Sequence, residues 1–166
     1  DFNLTLEVSV PKNGNSGTSI AKTINTVAAT PGREVQSVAQ ASFDAWTKYY
    51  RSDENTPNAT VSYYAKGSLV ALALDLTLRN EGQATLDDVM RLLWQRSRGG
   101  PIGEGDIAGA LKRVGGRSYA KEIAAWVHGT GELPLAALLE AAAVSLTAEK
   151  AGYAAALGLR LVESAN

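Results

Sequence analysis

The sequence predicts a mainly α-helical bundle around one buried helix, with a small antiparallel β element formed by the terminal segments. Three observations carry this. The stretch 61–79, VSYYAKGSLVALALDLTLR, is the longest run compatible with a buried helix. Within it Leu69, Leu72, Ala73 and Leu76 follow the i, i+3, i+4, i+7 spacing of one helical face, while Val70, Ala71, Leu74 and Leu78 make most of the remaining circumference apolar. Around it lie segments with helical caps and stops, and the two ends alternate apolar and polar residues as strands do.

Each element follows in turn. Phe2, Leu4, Leu6, Val8 and Val10 alternate with Asn3, Thr5, Glu7 and Ser9, a half-buried strand that Pro11 ends. The following KNGNSGTS is a flexible turn or linker. Thr18 or Ser19 caps a short helix through Ala29, stopped at Thr30-Pro31-Gly32. Ser42 opens a helix to about Tyr50 whose aromatics, Phe43, Trp46, Tyr49 and Tyr50, are expected to pack on the core. SDENTPNAT is a polar loop able to line a cleft, and it delivers the chain to the central helix. Thr85 caps the next helix, with Asp87 and Asp88 in its positive first turn, and Gly99-Gly100-Pro101 closes it. A unit from Glu104 or Asp106 to Val114 ends at Gly115-Gly116. Ser118 then caps a helix to Val127 or His128, and Pro134 sits at the first position of another, LPLAALLEAAAV. From Val144 two short alternating segments, VSLTAEK and LGLRLVES, read as a hairpin or edge strands. The N-terminal strand would be their third member, because a lone hairpin is marginal.

Composition narrows the function. A length of 166 residues fits one domain with a sizeable core. A formal net charge of −1, with basic residues scattered, speaks against nucleic acid as a partner. No cysteine means no disulfide, thiolate ligand or cysteine nucleophile, and leaves the compartment open. With one histidine, this chain alone cannot build a zinc site on two histidines, nor a Ser-His-Asp triad unless His128 is the base. Lys66, Asp75 and Arg79 interrupt the central run, whose apolar part is short of the roughly 20 residues a bilayer requires, so no membrane span is expected. The start has neither a basic n-region nor an apolar h-region, so no signal peptide is expected and the chain reads as soluble.

The chemistry concentrates at the entry to the central helix, where Tyr63, Tyr64, Lys66 and Gly67 come together. The plainest reading of these tyrosines is packing against the aromatics at 43–50 with hydroxyls at the surface, and Lys66 then reads as a solvated or paired cation. Asp87, Asp88, Glu104 and Asp106 stand at helix starts, where capping competes with any metal role. His128, in WVHGTG near a helix end, reads as structural.

Tyr64-Ala65-Lys66-Gly67 is also a Y-x-K-G motif, and around it the chain resembles the glycyl aminopeptidase family, zinc metallopeptidases that often carry a PDZ domain afterwards. The resemblance, placed over about 21–161, rests on TPGREVQSVAQASFDAWTKYYRSDENTPNATVSYYAKGSLVALALDL, LDDVMRLLWQR, GGPIGEGDIAGAL and GGRSYAKEIAAWVHGTGELPL. It implies a parent activity of zinc-dependent removal of N-terminal residues, glycine especially, from peptide substrates. It also implies that Tyr64, or its neighbour Tyr63, donates a hydroxyl to the oxyanion of the tetrahedral intermediate. The family holds zinc through H-E-x-x-H and a downstream glutamate. This sequence has no such motif, so the chain resembles the C-terminal part of a catalytic domain and is expected to be inactive alone.

Residues 1–18 are expected to be an unmatched strand and linker, either a separate module or a foreign or engineered addition, 19–143 the helical domain, and 144–166 strands leading into a truncated PDZ-like region. The alternative function is a non-catalytic helical binding module, self-associating or taking a partner strand through residues 1–18. A third possibility is a metal-bearing partner that completes the site in trans.

Overall fold

The computed structural model describes residues 5–8, 16–82 and 84–149. Its described helices are α1 (Ser16–Ala28), α2 (Val38–Phe43), α3 (Thr56–Ala59), α4 (Tyr63–Glu81), α5 (Leu86–Ser97), α6 (Glu104–Gly115), α7 (Ala120–Ile123) and α8 (Leu135–Ala141). A 3-10 turn at Pro31–Glu34 and π-helical turns at Ala45–Tyr49 and Ala124–His128 join them. The protein is mainly helical, as the periodicity predicts.

The central helix is α4. Ser62 caps it by accepting a hydrogen bond from the Ala65 N–H at 3.2 Å. Its nearly all-round apolar surface serves two cores. Leu69, Val70, Ala73 and Leu76 meet Ile24 and Val27 of α1, Ala41 of α2, Trp126, and Leu135 and Leu139 of α8. One turn on, Leu78 joins Val89 and Leu93 of α5, Ala110 and Leu111 of α6, Tyr119, and Ile123 of α7. Each aliphatic side chain so buried contributes roughly 1.5–3 kcal/mol, which is why an apolar helix of this length organises the bundle. Asp75 fixes the angle between α4 and α5, its Oδ1 accepting from the Leu86 N–H at 2.8 Å while its Oδ2 accepts from Arg79 Nε at 2.6 Å.

The cap signals place α5 and α6 closely. Thr85 and Asp88 form a reciprocal capping box. Arg98 and Gly99 end α5 in the left-handed region, and Gly116, at φ 77°, ends α6. Elsewhere the chain departs from the reading. Helix α2 is capped at Ser37, five residues before the expected cap at Ser42, because Ser37 and Gln40 form a capping box. The aromatics that follow do not all pack inward. Phe43, the last residue of α2, is 89% exposed, and past the break at Asp44 the π-helical turn leaves Trp46 79% and Tyr50 51% exposed. The helical run expected after Ser118 does reach His128, through α7 and the π-helical turn, but Tyr119 stands at its N-cap while Ser118 accepts from the Ala120 N–H; Pro134 precedes α8 instead of occupying its first position.

The β structure among the described residues is one antiparallel ladder of four pairs, β1 (Thr5–Val8) on β2 (Leu146–Glu149), with Thr5 opposite Glu149 and Val8 opposite Leu146. The expected strand over 157–164 lies outside the described residues. Among the described residues no helix is long and apolar enough to cross a membrane.

Candidate functional site

The entry to α4 gathers four tyrosines. The π-helical turn at Ala45–Tyr49 runs past the first turn of α4, and this brings Tyr49 and Tyr50 onto Tyr63 and Tyr64. The Tyr49 and Tyr63 rings meet edge to face with centroids 5.5 Å apart, and those of Tyr63 and Tyr64 lie 4.2 Å apart. Three hydroxyls converge. The Tyr50 oxygen is 3.2 Å from that of Tyr63 and 3.5 Å from that of Tyr64, and the Tyr49 hydroxyl lies 3.4 Å from Ser62 Oγ.

The shared hydrogen bonds divide the phenols. Those with Tyr50 and then Tyr64 hold the Tyr63 proton, pushing its pKa well above the usual 10. For Tyr64 the order is Tyr50 and then Tyr63, and here the bonds favour the phenolate, lowering the pKa against a small opposing effect of burial. Tyr64 is 62% exposed, so its hydroxyl is presented to whatever lies over this face. Tyr63 is half-buried beneath it. Tyr50 belongs to this site although the sequence reading gave it only a packing role; the Tyr49-Tyr50 pair at the end of an aromatic run was its one signal.

The polar loop before α4 does line a hollow. Ser52, Thr56, Pro57 and Thr60, with Thr30, Tyr49 and Ser62, surround a shallow depression of about 450 Å³. Gly32 lets the loop close on the 3-10 turn, for a Cβ there would stand 2.0 Å from the Thr60 carbonyl oxygen.

Lys66, in the first turn of α4, reaches the 3-10 turn at Pro31–Glu34. It is 3% exposed and donates from Nζ to the Arg33 carbonyl at 3.1 Å, so of the expected solvated or paired cation the solvated form is ruled out, and its hydrogen-bond partner is a backbone carbonyl. Burial lowers its pKa, with Glu132 opposing and Arg33 assisting.

A second polar cluster lies at the far end of α4, and no local pattern announces it because Glu81 stands 36 and 38 residues before Arg117 and Tyr119. Arg117 Nη2 donates to Glu81 Oε1 at 2.6 Å and to Glu122 Oε1 at 2.5 Å, and Tyr119 donates to Glu81 Oε2 at 2.8 Å. The Arg117 guanidinium lies 4.0 Å from the centroid of the Tyr119 ring. The hydrogen bond from Arg117 lowers the Glu81 pKa. For Glu122 burial pushes upward, but Arg117 outweighs it and the net direction is down. Burial and the bond to Glu81 push Tyr119 up to about 12. The cluster ties α7 to α4 and is structural.

The capping carboxylates behave unequally. Asp88 caps α5 and Asp106 Oδ2 accepts from the Gly103 N–H at 2.8 Å, but Glu104 reaches His128, with Oε1 2.9 Å from Nε2. Among the described residues no three of His, Cys, Asp and Glu are grouped to share a metal ion. His128 and Glu104 supply two donors with no third, so this donor set does not fit a zinc centre.

A protein-family model, M61 glycyl aminopeptidase, matches residues 4–70. The glycyl aminopeptidase resemblance is thus found independently over that part of the chain, through Tyr63, Tyr64 and the Y-x-K-G glycine. The match begins at residue 4 and so takes in much of the segment 1–18 that was expected to fall outside the resemblance, and it stops well before residue 161. No curated protein and no solved structure matches the chain.

Proposed function

We propose that this chain is a helical part of an aminopeptidase catalytic domain of the glycyl aminopeptidase kind, in which Tyr64 supplies the oxyanion donor and the metal ligands come from outside the chain. The observation that carries the reading is the exposed Tyr64 hydroxyl, held in the Tyr50–Tyr63–Tyr64 cluster at the start of the central helix, inside the matched residues. A phenol so fixed does not have to reorganise when charge develops on a carbonyl oxygen, which is the condition for strong oxyanion stabilisation. Tyr63, half-buried and holding its proton against two neighbours, positions Tyr64 rather than meeting substrate.

The exposed aromatic face beside the cluster supports the same reading. Phe43, Trp46, Tyr50 and Tyr64 are exposed, the Trp46 and Tyr50 rings lie 5.1 Å apart, and exposed apolar surface of this kind marks contacts. A metal-bearing half of the domain, carrying H-E-x-x-H and the third ligand, would cover it and bring zinc to the tyrosine. In that arrangement the peptide's N-terminal residue lies between the two halves, and the chain's own contribution is the hydroxyl and the wall of the cleft.

The test is hydrolysis of glycyl and alanyl amides by the purified chain, with zinc and with a chelator. The expected result is no turnover in either condition. Chelator-sensitive turnover would overturn the reading, because it would require a metal site within this chain.

A further inference from the structure

Away from the tyrosines, α1, α4 and α8 enclose a cavity of about 220 Å³. Its walls are aliphatic, with Ile24, Val27, Leu69, Leu133 and Leu135 among them, and its polar end carries Lys66, Arg33 and Glu132. Lys66 is the unusual member. An ammonium has three donors, and this one donates to the Arg33 carbonyl. Among the described residues no carboxylate forms an ion pair with it, although it is almost fully buried. Arg33 does have carboxylates, Glu34 at 2.8 Å and Glu132 at 3.0 Å, but their side chains are 65% and 74% exposed. Surface pairs of this kind hold their partners weakly and exchange readily.

We propose that this cavity binds an aliphatic monocarboxylate, its chain between α1, α4 and α8 and its carboxylate shared by Lys66 and Arg33. The ligand class follows from the lining. A buried ammonium with unused donors favours an anion, the aliphatic walls favour a saturated chain, and a single polar end accommodates one charged group. An apolar cavity of about 150 Å³ takes up benzene, so this larger one suits a chain of roughly six to eight carbons. On binding, the carboxylate displaces Glu132 from Arg33, and the exposed Glu132 side chain marks the mouth.

The probe is octanoate, titrated calorimetrically into the full chain at neutral pH, with octylamine as the charge-reversed control and acetate as the chainless one. Octanoate should bind saturably at one site, and neither control should. Lys66→Met should weaken octanoate about tenfold, the loss of one charge-assisted contact. Glu132→Gln, on an exposed side chain that leaves the fold intact, should tighten it roughly threefold by releasing Arg33. The proposal is overturned by the absence of saturable octanoate binding, by equal affinity for octylamine, or by a Glu132→Gln variant with unchanged or weaker affinity.

Discussion

The Tyr50 and Tyr63 hydroxyls lie 3.2 Å apart although thirteen residues separate them, and the contact joins the π-helical turn at Ala45–Tyr49 to the first turn of α4. Tyr64, 3.5 Å from the same Tyr50 oxygen, completes the group. The consequence is electrostatic as well as steric, for Tyr63 and Tyr64, both hydrogen-bonded to the Tyr50 hydroxyl, do not lose their protons at one pH.

Spectrophotometric titration of the tyrosines therefore separates them. Tyr64 should ionise below the ordinary 10 and Tyr63 well above it. Tyr50 is the leading cause of both shifts, so Tyr50→Phe should bring the two back toward 10. Superimposable titrations of the two proteins would show that the hydroxyls are not coupled.

The cluster at the far end of α4 predicts an acid limb to stability. Glu81 and Glu122 have folded-state pKa values below the ordinary 4.5, so the folded protein binds fewer protons than the unfolded chain in that range. Their contribution is fully present above about 4.5 and is lost as the pH falls through the lower folded-state values. Urea midpoints should fall on acidification from neutrality to that window, and the fall should be smaller in Glu81→Gln. Arg117→Ala leaves Glu122 half-buried without its cation and should cost about 2 kcal/mol at neutral pH, a figure discounted for the partial exposure of the group.

Two glycines near the site should respond oppositely to alanine. At Gly32 the added Cβ would meet the Thr60 backbone at 2.0 Å, so Gly32→Ala forces the 3-10 turn away from the loop and should destabilise by about 3 kcal/mol. At Gly67, in mid-helix, the nearest atom is Val38 Cγ1 at 3.8 Å, an ordinary contact. Gly67→Ala should stabilise the chain by about 0.5–1 kcal/mol through helix propensity. Denaturant curves of the two variants check both signs, and a neutral Gly32→Ala would mean that the turn and loop are not in contact.

Local signals in the sequence reached as far as local physics does. Thr85 with Asp88, Gly116 after α6 and the apolar circumference of 69–78 act within one helix, and the structure forms those elements. Failures arose where two local signals competed. Ser42 looks like a cap, but Ser37 with Gln40 offers a reciprocal pair one turn earlier and captures the start of α2. Phe43 ends α2 at the surface and Trp46 follows the break at Asp44 into solvent, which no periodicity within 42–50 could show. The candidate site was half legible. Tyr63 and Tyr64 stand out in Y-x-K-G, whereas Tyr50, the burial of Lys66 and the Glu81–Arg117–Glu122 cluster depend on contacts between distant segments.

We propose that Tyr64 is an oxyanion donor awaiting a metal-bearing half. The most direct measurement combines the chain with a domain carrying H-E-x-x-H and its third ligand, and compares glycyl-amide hydrolysis by wild type, Tyr64→Phe and Tyr63→Phe. The account predicts zinc-dependent turnover in the assembly, a fall in kcat of roughly a hundredfold to a thousandfold for Tyr64→Phe with KM little changed, and a smaller loss for Tyr63→Phe. Turnover that Tyr64→Phe leaves intact would contradict it.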